Sequence, residues 1–263
     1  MIYLALVLLG TGLITGFIAG MVGIGGGIVV VPVLHMVFEH LGVADTVLMP
    51  LSVGTSLGTV MITSIASARG HNRHQQVDWP IFKEMAPFIV AGVVLGSVIV
   101  KLINGHQLTV FFAGMALVLA LLLAWEKLKL AKALPSAKWR RPAGLAVGTI
   151  ASLMGIGSGI VVIPLATACH YPVKRAIGTA AAFGVVVSVP GIVGFMVAGH
   201  GIDTHLPLTI GYVNLPAVAL IGGVTLFSAG WGAKASQKVP AHILRRMLAA
   251  FLVITAIKLL VNL

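Results

Sequence analysis

The chain has 263 residues, of which 59% are hydrophobic and 9% are charged, and its mean hydropathy is +1.09. Soluble domains of this length are not so apolar, and several apolar stretches are long enough to cross about 30 Å of hydrocarbon, so we predict a polytopic integral membrane protein. The net charge of +11 would suit a nucleic-acid-binding protein, but the basic residues lie almost wholly in loops between apolar stretches. Membrane topology explains that distribution better, and we expect no nucleic-acid partner.

The apolar stretches divide the chain into two similar halves. The first repeat is residues 1–126, the second is residues 143–263, and a basic linker, residues 127–142, joins them. Each repeat begins with a glycine-interrupted apolar segment, 2–38 in the first and 143–170 in the second. Three apolar stretches of span length follow in each repeat. The predicted spans are 47–68, 81–103, 108–125, 176–198, 208–229 and 241–262.

A near-repeat of one glycine-rich string indicates that the chain is a duplication. Residues 12–32 read GLITGFIAGMVGIGGGIVVVP, and residues 144–164 read GLAVGTIASLMGIGSGIVVIP. Each copy places helix-breaking glycines where a membrane helix would otherwise continue. In a bilayer such a break is tolerated only where it is buried in protein or lines a watery cavity. Paired broken segments in the two halves of a transporter point to its binding site.

Lysine and arginine predict which loops face the cytoplasm. One group of loops carries nearly all of them, whereas the other side of the membrane has only Lys101 and Lys258. We therefore expect the basic group, which includes the central linker, to be cytoplasmic. Segment 143–170 then begins and ends on the cytoplasmic side and is too short for two spans, so it is predicted to be a re-entrant hairpin. By the same count, segment 2–38 is a matching hairpin that enters from outside; its longer legs are also long enough to cross fully, which would leave the count of sides unchanged.

This topology predicts an all-α polytopic membrane protein of two inverted repeats, each a glycine-broken re-entrant hairpin plus three transmembrane helices. The repeats are inverted because three spans are an odd number. Inverted repeats whose broken elements meet near the midplane are a secondary-transporter architecture, so we expect the two hairpin tips to approach each other. The expected location is the cell (cytoplasmic) membrane.

The hairpin tips are the candidate binding site. A tip offers free backbone N–H groups and the positive end of a half-helix, which together bind anions, and glycine lets a ligand approach the backbone closely. The alternative role is close packing through small residues, which we expect of pairs such as Gly16/Gly20 and Gly92/Gly96. The tip residues are Gly23, Gly25, Gly26, Gly27, Gly155, Gly157, Ser158 and Gly159.

The span after each tip also repeats, as VGTS at 53–56 and IGTA at 177–180. Hydroxyl residues 52, 55, 56, 59 and 63 fall on one helical face and would line a path, unless each bonds back to its own helix. The acidic residues lie outside the confident apolar cores, so no buried-carboxylate ion site is visible. Metal-type spacings and catalytic or cofactor motifs are also missing, and we predict a non-enzymatic protein without metal or cofactor.

The string GhhxGhhAxhhGhGGGhhhhPhh (h, hydrophobic; x, any residue), followed by an hhGTS helix, resembles the sulfite exporter TauE/SafE family of membrane transporters. The resemblance covers both halves. The family is associated with sulfite, organosulfonates and related sulfur oxyanions. It implies an anion site built from the glycine tips with Thr55 and Ser56 from the first half and Thr179 from the second. Ser158 and Ala180 depart from the glycine and serine of the family pattern.

The leading hypothesis is a secondary transporter that moves a small sulfur-containing anion (sulfite, an organosulfonate or a related oxyanion) across the membrane by alternating access. An anion channel of the same architecture is the alternative. The expected partners are a small anionic substrate and the lipid bilayer, and coupling to a proton or another ion is left open.

Overall fold

A computed structural model describes residues 2–22, 26–124, 134–235 and 241–261. These parts of the chain are almost entirely helical. The helices of the first half are α1 (Ile2–Val22), α2 (Gly27–His40), α3 (Asp45–Arg73), α4 (Trp79–Leu102) and α5 (Gly105–Ala124). The elements of the second half are α6 (Ala137–Leu153), α7 (Gly159–Ala168), α8 (Val173–Ala198), β1 (Thr209–Ile210), β2 (Val213–Asn214), α9 (Leu215–Ala235) and α10 (Ala241–Val261).

The predicted all-α membrane architecture is confirmed. Four of the described helices, α3, α4, α5 and α8, are long and apolar enough to cross a membrane. The predicted bounds differ most from the structure at α3 and at α9, which also ends at Ala235 rather than 229. Helix α3 continues five residues past 68, to Arg73, because its polar last turn stays helical until Gln75 takes a left-handed φ of 55°. Helix α9 begins at Leu215 rather than 208 because the preceding residues pair as the antiparallel strands β1 and β2.

Each glycine-interrupted segment contains two helices, and we call the residues before the second helix its glycine turn; Gly26 is the described residue of the first turn. The second legs are short, with 14 residues in α2 and 10 in α7. At about 1.5 Å per residue they extend about 21 and 15 Å, less than the hydrocarbon thickness of about 30 Å. The glycine turns at the start of these legs therefore lie within the bundle rather than beyond its ends.

The two halves interlock through the first legs of the hairpins. Helix α1 packs on α9 of the second half, and α6 packs on α4 of the first half. Glycines make both contacts close: a Cβ added at Gly16 would collide with Ser228 of α9, and one at Gly92 would collide with the Leu145 carbonyl oxygen of α6. The packing role expected for the Gly16/Gly20 and Gly92/Gly96 pairs is what the structure shows.

The loops collect at two ends of the bundle. The α3–α4 loop, the start of α6 and the α7–α8 loop lie together, joined by contacts from Asp78 to Tyr171 and from Glu84 to Arg140. We call this the basic end. At the opposite end, the end of α2, the starts of α3 and α5 and the end of α10 surround a cavity of about 230 Å³. Leu8 of α1 and Ala217 of α9 belong to a buried cluster beside the α2–α3 loop, so α1 and α9 also begin at the opposite end.

Helices α3 and α8 form the centre of the bundle. They pack against each other, and each also contacts the fourth helix of the other half, α9 for α3 and α4 for α8. Helix α5 packs on α10 at the side. The central position of α3 explains why its hydroxyl residues are buried, as Ser52, Thr55 and Ser56 are fully enclosed.

We predict that Gly92→Ala destabilises the protein by about 1–3 kcal/mol, because the new methyl group meets a backbone carbonyl that cannot rotate away. At about 2–4 °C per kcal/mol, the melting temperature of the purified protein should fall by several degrees. The matched control is Gly114→Ala in α5, where a Cβ finds nothing within 4 Å. Equal melting temperatures for the two variants would contradict the packing role.

Candidate functional site

The two glycine turns touch each other. A Cβ added at Gly27 would lie 2.5 Å from the Gly155 carbonyl oxygen and 3.0 Å from Ile156 Cα. Ser56 of α3 lies at this contact, where its hydroxyl donates to the Gly155 carbonyl oxygen at 2.7 Å and lies 3.5 Å from the Gly27 carbonyl oxygen. The expected approach of the two hairpin tips is therefore confirmed. The Ser56 hydroxyl bonds to the second tip and lies beside the first.

The two turns differ at the residue that precedes the second leg. In the first turn Gly26 has a left-handed φ of 72°, whereas its counterpart Ser158 has an ordinary φ of −58°. In the second turn the left-handed residue is Gly155, with φ of 63°. A side chain is tolerated at 158 because that position is right-handed. The Ser158 hydroxyl donates to the Ala180 carbonyl oxygen at 2.9 Å and ties the turn to α8.

Helix α2 begins at this contact, and helix α7 begins at Gly159, four residues after Gly155. The carbonyl oxygens of Gly26 and Ser158 accept the first bonds of these helices. The N–H groups of the first two residues of each helix make no hydrogen bond to any other described residue; they belong to Gly27, Ile28, Gly159 and Ile160. All four residues are buried. Such groups carry the positive end of a helix dipole and can bind an anion.

The predicted threonines make two equivalent hydrogen bonds between the halves, which we call the threonine joints. The Thr55 hydroxyl of α3 accepts a hydrogen bond from the backbone N–H of Asn214 at 3.0 Å, just before α9. The Thr179 hydroxyl of α8 accepts one from the backbone N–H of Asp78 at 2.9 Å, just before α4. Both threonines are buried. Neither hydroxyl is bonded back to its own helix, and each instead holds the start of a helix from the other half.

The residues opposite the threonines escaped the sequence analysis, although a second short repeat marks them. Residues 77–80 read VDWP and residues 213–216 read VNLP. In both, the polar side chain caps the helix it precedes: Asp78 Oδ1 accepts from the Ile81 N–H at 3.2 Å, and Asn214 Oδ1 accepts from the Ala217 N–H at 3.0 Å. The joints are alike in geometry but differ in charge, because only Asp78 carries a carboxylate.

Asp78 is surrounded by donors from the α7–α8 region. The Tyr171 hydroxyl donates to Asp78 Oδ2 at 2.6 Å, and the Arg175 guanidinium lies 3.9 Å from the same oxygen. Burial, and then the bond to the Asp78 carboxylate, raise the pKa of Tyr171, while contact with the Thr179 hydroxyl acts in the other direction. Tyr171 therefore remains a protonated donor at neutral pH.

The other predicted residues have simpler places. Gly157 and Gly159 are buried at the second turn, whereas Gly23 and Gly25 lie outside the described residues. On the α3 face, the remaining hydroxyls of Ser52, Thr59 and Thr63 each bond to a carbonyl of their own helix. For these three, the alternative of bonding within the helix is correct. Among the described residues no cluster of His, Cys, Asp and Glu could hold a metal ion.

Comparison with known proteins identifies the family. The family model described as Sulfite exporter TauE/SafE matches residues 8–259. The chain belongs to this family. A probable membrane transporter protein of Haemophilus influenzae is 32% identical over 253 residues, which cover 94% of this chain and 95% of that protein. Another of Methanocaldococcus jannaschii is 28% identical, covering 92% and 90% of the two chains. No solved structure matches the chain.

Membership in the TauE/SafE family makes the chain a multi-pass membrane transporter with a small-molecule substrate. The probable membrane transporter protein YunE of Bacillus subtilis is 26% identical and covers 95% of this chain and 94% of its own length. These relatives match from end to end, so the whole ten-helix bundle described above, rather than one half, is the shared unit.

We predict that Thr55→Val and Thr179→Val each lower the stability of the purified protein by about 1–3 kcal/mol, because each leaves a backbone N–H without its partner. Thr→Ser at the same positions keeps the acceptor and should retain most of the stability. The control is Thr59→Val, which removes only a bond within α3 from an equally buried hydroxyl. Losses no greater than that of Thr59→Val would show that the joints contribute nothing.

Proposed function

We propose that the protein is a secondary transporter that moves a small sulfur-containing anion across the cell membrane by alternating access. The observation that carries the proposal is the contact between the start of α2 and the second glycine turn, which leads into α7. Four buried N–H groups there have no partner among the described residues. Buried donors without partners are rare in folded proteins, and an anion supplies the acceptors they lack.

The proposed anion site consists of the two turns and the side chains that hold them. The backbone of the turns contacts the anion, while Ser56 and Ser158 position the second turn. Thr55 and Thr179 support the site by fixing the helices around it. The turn residues of the site are Gly23, Gly25, Gly26, Gly27, Gly155, Gly157 and Gly159.

Alternating access is supported by the way in which the two halves are related. The first hairpin begins and ends at the opposite end of the bundle, and the second hairpin begins and ends at the basic end. We infer that residues 1–126 and 143–263 are inverted repeats and that the linker 127–142 faces the cytoplasm. A site between inverted repeats is reached from one side or the other as the repeats rock, which is the secondary-transporter mechanism.

An anion channel of the same architecture is distinguished by its kinetics. A transporter must close around its substrate, and in this structure the turns are in direct contact. Transport should therefore saturate with substrate concentration and show counterflow, in which unlabelled anion on one side drives uptake of labelled anion from the other. A channel shows neither property. The assay uses the full chain in proteoliposomes with sulfite, ethanesulfonate, sulfate and acetate, with and without a proton gradient.

We expect Gly26→Leu to abolish this uptake while leaving the protein inserted in the membrane. Gly26 has a φ of 72°, and a Cβ there would lie 3.2 Å from the Thr15 carbonyl oxygen, so a larger side chain displaces the turn. Gly157→Leu should act similarly at the second turn. The control is Gly42→Leu, which has a similar φ of 78° but nothing within 4 Å. Normal uptake by Gly26→Leu would remove the first turn from the site.

Sidedness is tested by cysteine labelling from outside intact cells, in a Cys169→Ala background. Ser136 precedes α6 at the basic end, and Asp203 lies in the α8–α9 loop; both are exposed. We expect Asp203→Cys to react with a membrane-impermeant maleimide and Ser136→Cys to react only after the cells are opened. The reverse pattern would overturn the proposed orientation while leaving the fold unchanged.

A further inference from the structure

An apolar cavity of about 220 Å³ lies at the basic end between α4, α6, α7 and α8. At about 30 Å³ per water, it has room for roughly seven water molecules. Its walls include Met85 of α4, Val162 of α7 and Phe183 of α8. Thr179, which holds one of the two joints between the halves, is also on the wall, so the cavity adjoins the proposed site.

Two further polar residues, Arg140 and Tyr171, line this cavity, and each is bonded to a carboxylate of the protein. The Arg140 guanidinium of α6 pairs with Glu84, with 2.5 Å between Nη2 and Oε2. The Tyr171 hydroxyl donates to Asp78. Both carboxylates belong to α4 or its cap, whereas both donors belong to elements of the second half. Arg140 and Tyr171 are thus suited to bind an anion in the cavity. Each is instead bonded to a carboxylate that does not line the cavity.

We propose that this cavity binds an oxyanion with a small apolar body, and that Asp78 and Glu84 hold its donors, Tyr171 and Arg140, when the cavity is closed. The site rests on the proposed function, because it serves as the basic-end entry to the anion site at the turns. The apolar walls accommodate the body of the anion, while Arg140 and Tyr171 bind the charged oxygens. A bare inorganic anion fits these walls poorly, because it would lose its hydration without compensation.

The Arg140–Glu84 pair leaves polar atoms without hydrogen bonds, which favours replacement of Glu84 by another acceptor. Arg140 Nε and Glu84 Oε1 are buried and have no hydrogen-bond partner among the described residues. Arginine binds a carboxylate or similar oxyanion best through two parallel N–H bonds, and here only one is made. An entering oxyanion offers several acceptor oxygens, so it can replace Glu84 with a better-matched partner.

The comparison between the halves shows that the charge at Asp78 is not needed for the joint. Asn214 caps α9 and donates its backbone N–H to Thr55 without any charge. The carboxylate of Asp78 therefore has a further use, and its neighbours Tyr171 and Arg175 are the groups it occupies. Asp78 caps α4 and Glu84 lies in its second turn, so a displacement confined to this end of α4 would release both sets of donors while the contacts at Gly92 and Gly96 stay in place.

Cys169 makes the proposal testable, because this buried thiol is the chain's single cysteine and lines the same cavity. The experiment measures the rate at which a small maleimide modifies Cys169 in the purified full-length protein. Asp78→Asn retains the cap but loses the charge that holds Tyr171. We expect labelling to become roughly tenfold faster, as for loss of a hydrogen bond to a charged group. Tyr171→Phe, which removes the donor, should also accelerate it.

The binding arm adds millimolar ethanesulfonate or benzenesulfonate to the Asp78→Asn protein. We expect both to slow labelling of Cys169, sulfate to have little effect, and the additional change Arg140→Gln to remove the protection. Asp203→Asn is the charge-matched control at an exposed carboxylate, and its labelling rate should equal that of the unmodified protein.

If the labelling rate of Cys169 is unchanged in both Asp78→Asn and Tyr171→Phe, the carboxylates do not keep the cavity closed. If the sulfonates still protect Cys169 after Arg140→Gln, the proposed binding site is wrong. Neither readout requires transport. Loss of the proposed function would appear separately, as the absence of saturable anion uptake by the unmodified protein in proteoliposomes, whatever the labelling shows.

Discussion

The contact between the two glycine turns is the constraint on which the rest of the structure depends. A helix interrupted inside a membrane exposes backbone groups that lipid cannot satisfy, so its turn must be enclosed by protein. Here the start of α2 contacts the second turn, and Ser56 supplies the donor for the Gly155 carbonyl oxygen. This requires α3 at the centre, because Ser56 must reach both turns. The places of α8 beside α3, and of α4 and α9 around that pair, follow from the same requirement.

The interlocking of the halves limits how the molecule can move. Helix α1 packs through glycine on α9, and α6 packs through glycine on α4, so each hairpin is joined to a helix of the other half. A separation of the halves as independent bodies would break both contacts. Motion of a hairpin together with its glycine-packed partner keeps both intact. The threonine joints connect the central helices to these moving pairs. Thr55 of α3 bonds to the start of α9, and Thr179 of α8 bonds to the start of α4.

Local sequence pattern was sufficient for the apolar helices and for the division of each hairpin into two helices, because glycine spacing and apolar length act over short stretches of chain. It was not sufficient for the pairs that surround the site. Asn214 and Thr55 are 159 residues apart, and Tyr171 and Asp78 are 93 apart, so no local periodicity relates them. The repeated Gly-Thr pair singles out Thr55 and Thr179, but their partners are backbone N–H groups, which leave no side-chain signature. The available signal was the repeated cap residue before α4 and α9, Asp78 and Asn214. It indicated where each joint lies but not which threonine it bonds to.

The differences between the halves are concentrated at the turns and the joints. Both serine bonds near the turns secure the second turn: Ser56 bonds to its Gly155 carbonyl oxygen, and Ser158 ties it to α8. The charged joint, at Asp78, is also the one made with α8 of the second half. In the proposed alternating-access mechanism, such unequal bonding gives the two end states unequal free energies. That inequality determines which end of the site is open at rest, because populations follow the free-energy difference between states. In the same proposal it cannot set the direction of net transport, which depends on the gradients of the substrate and of any ion coupled to it.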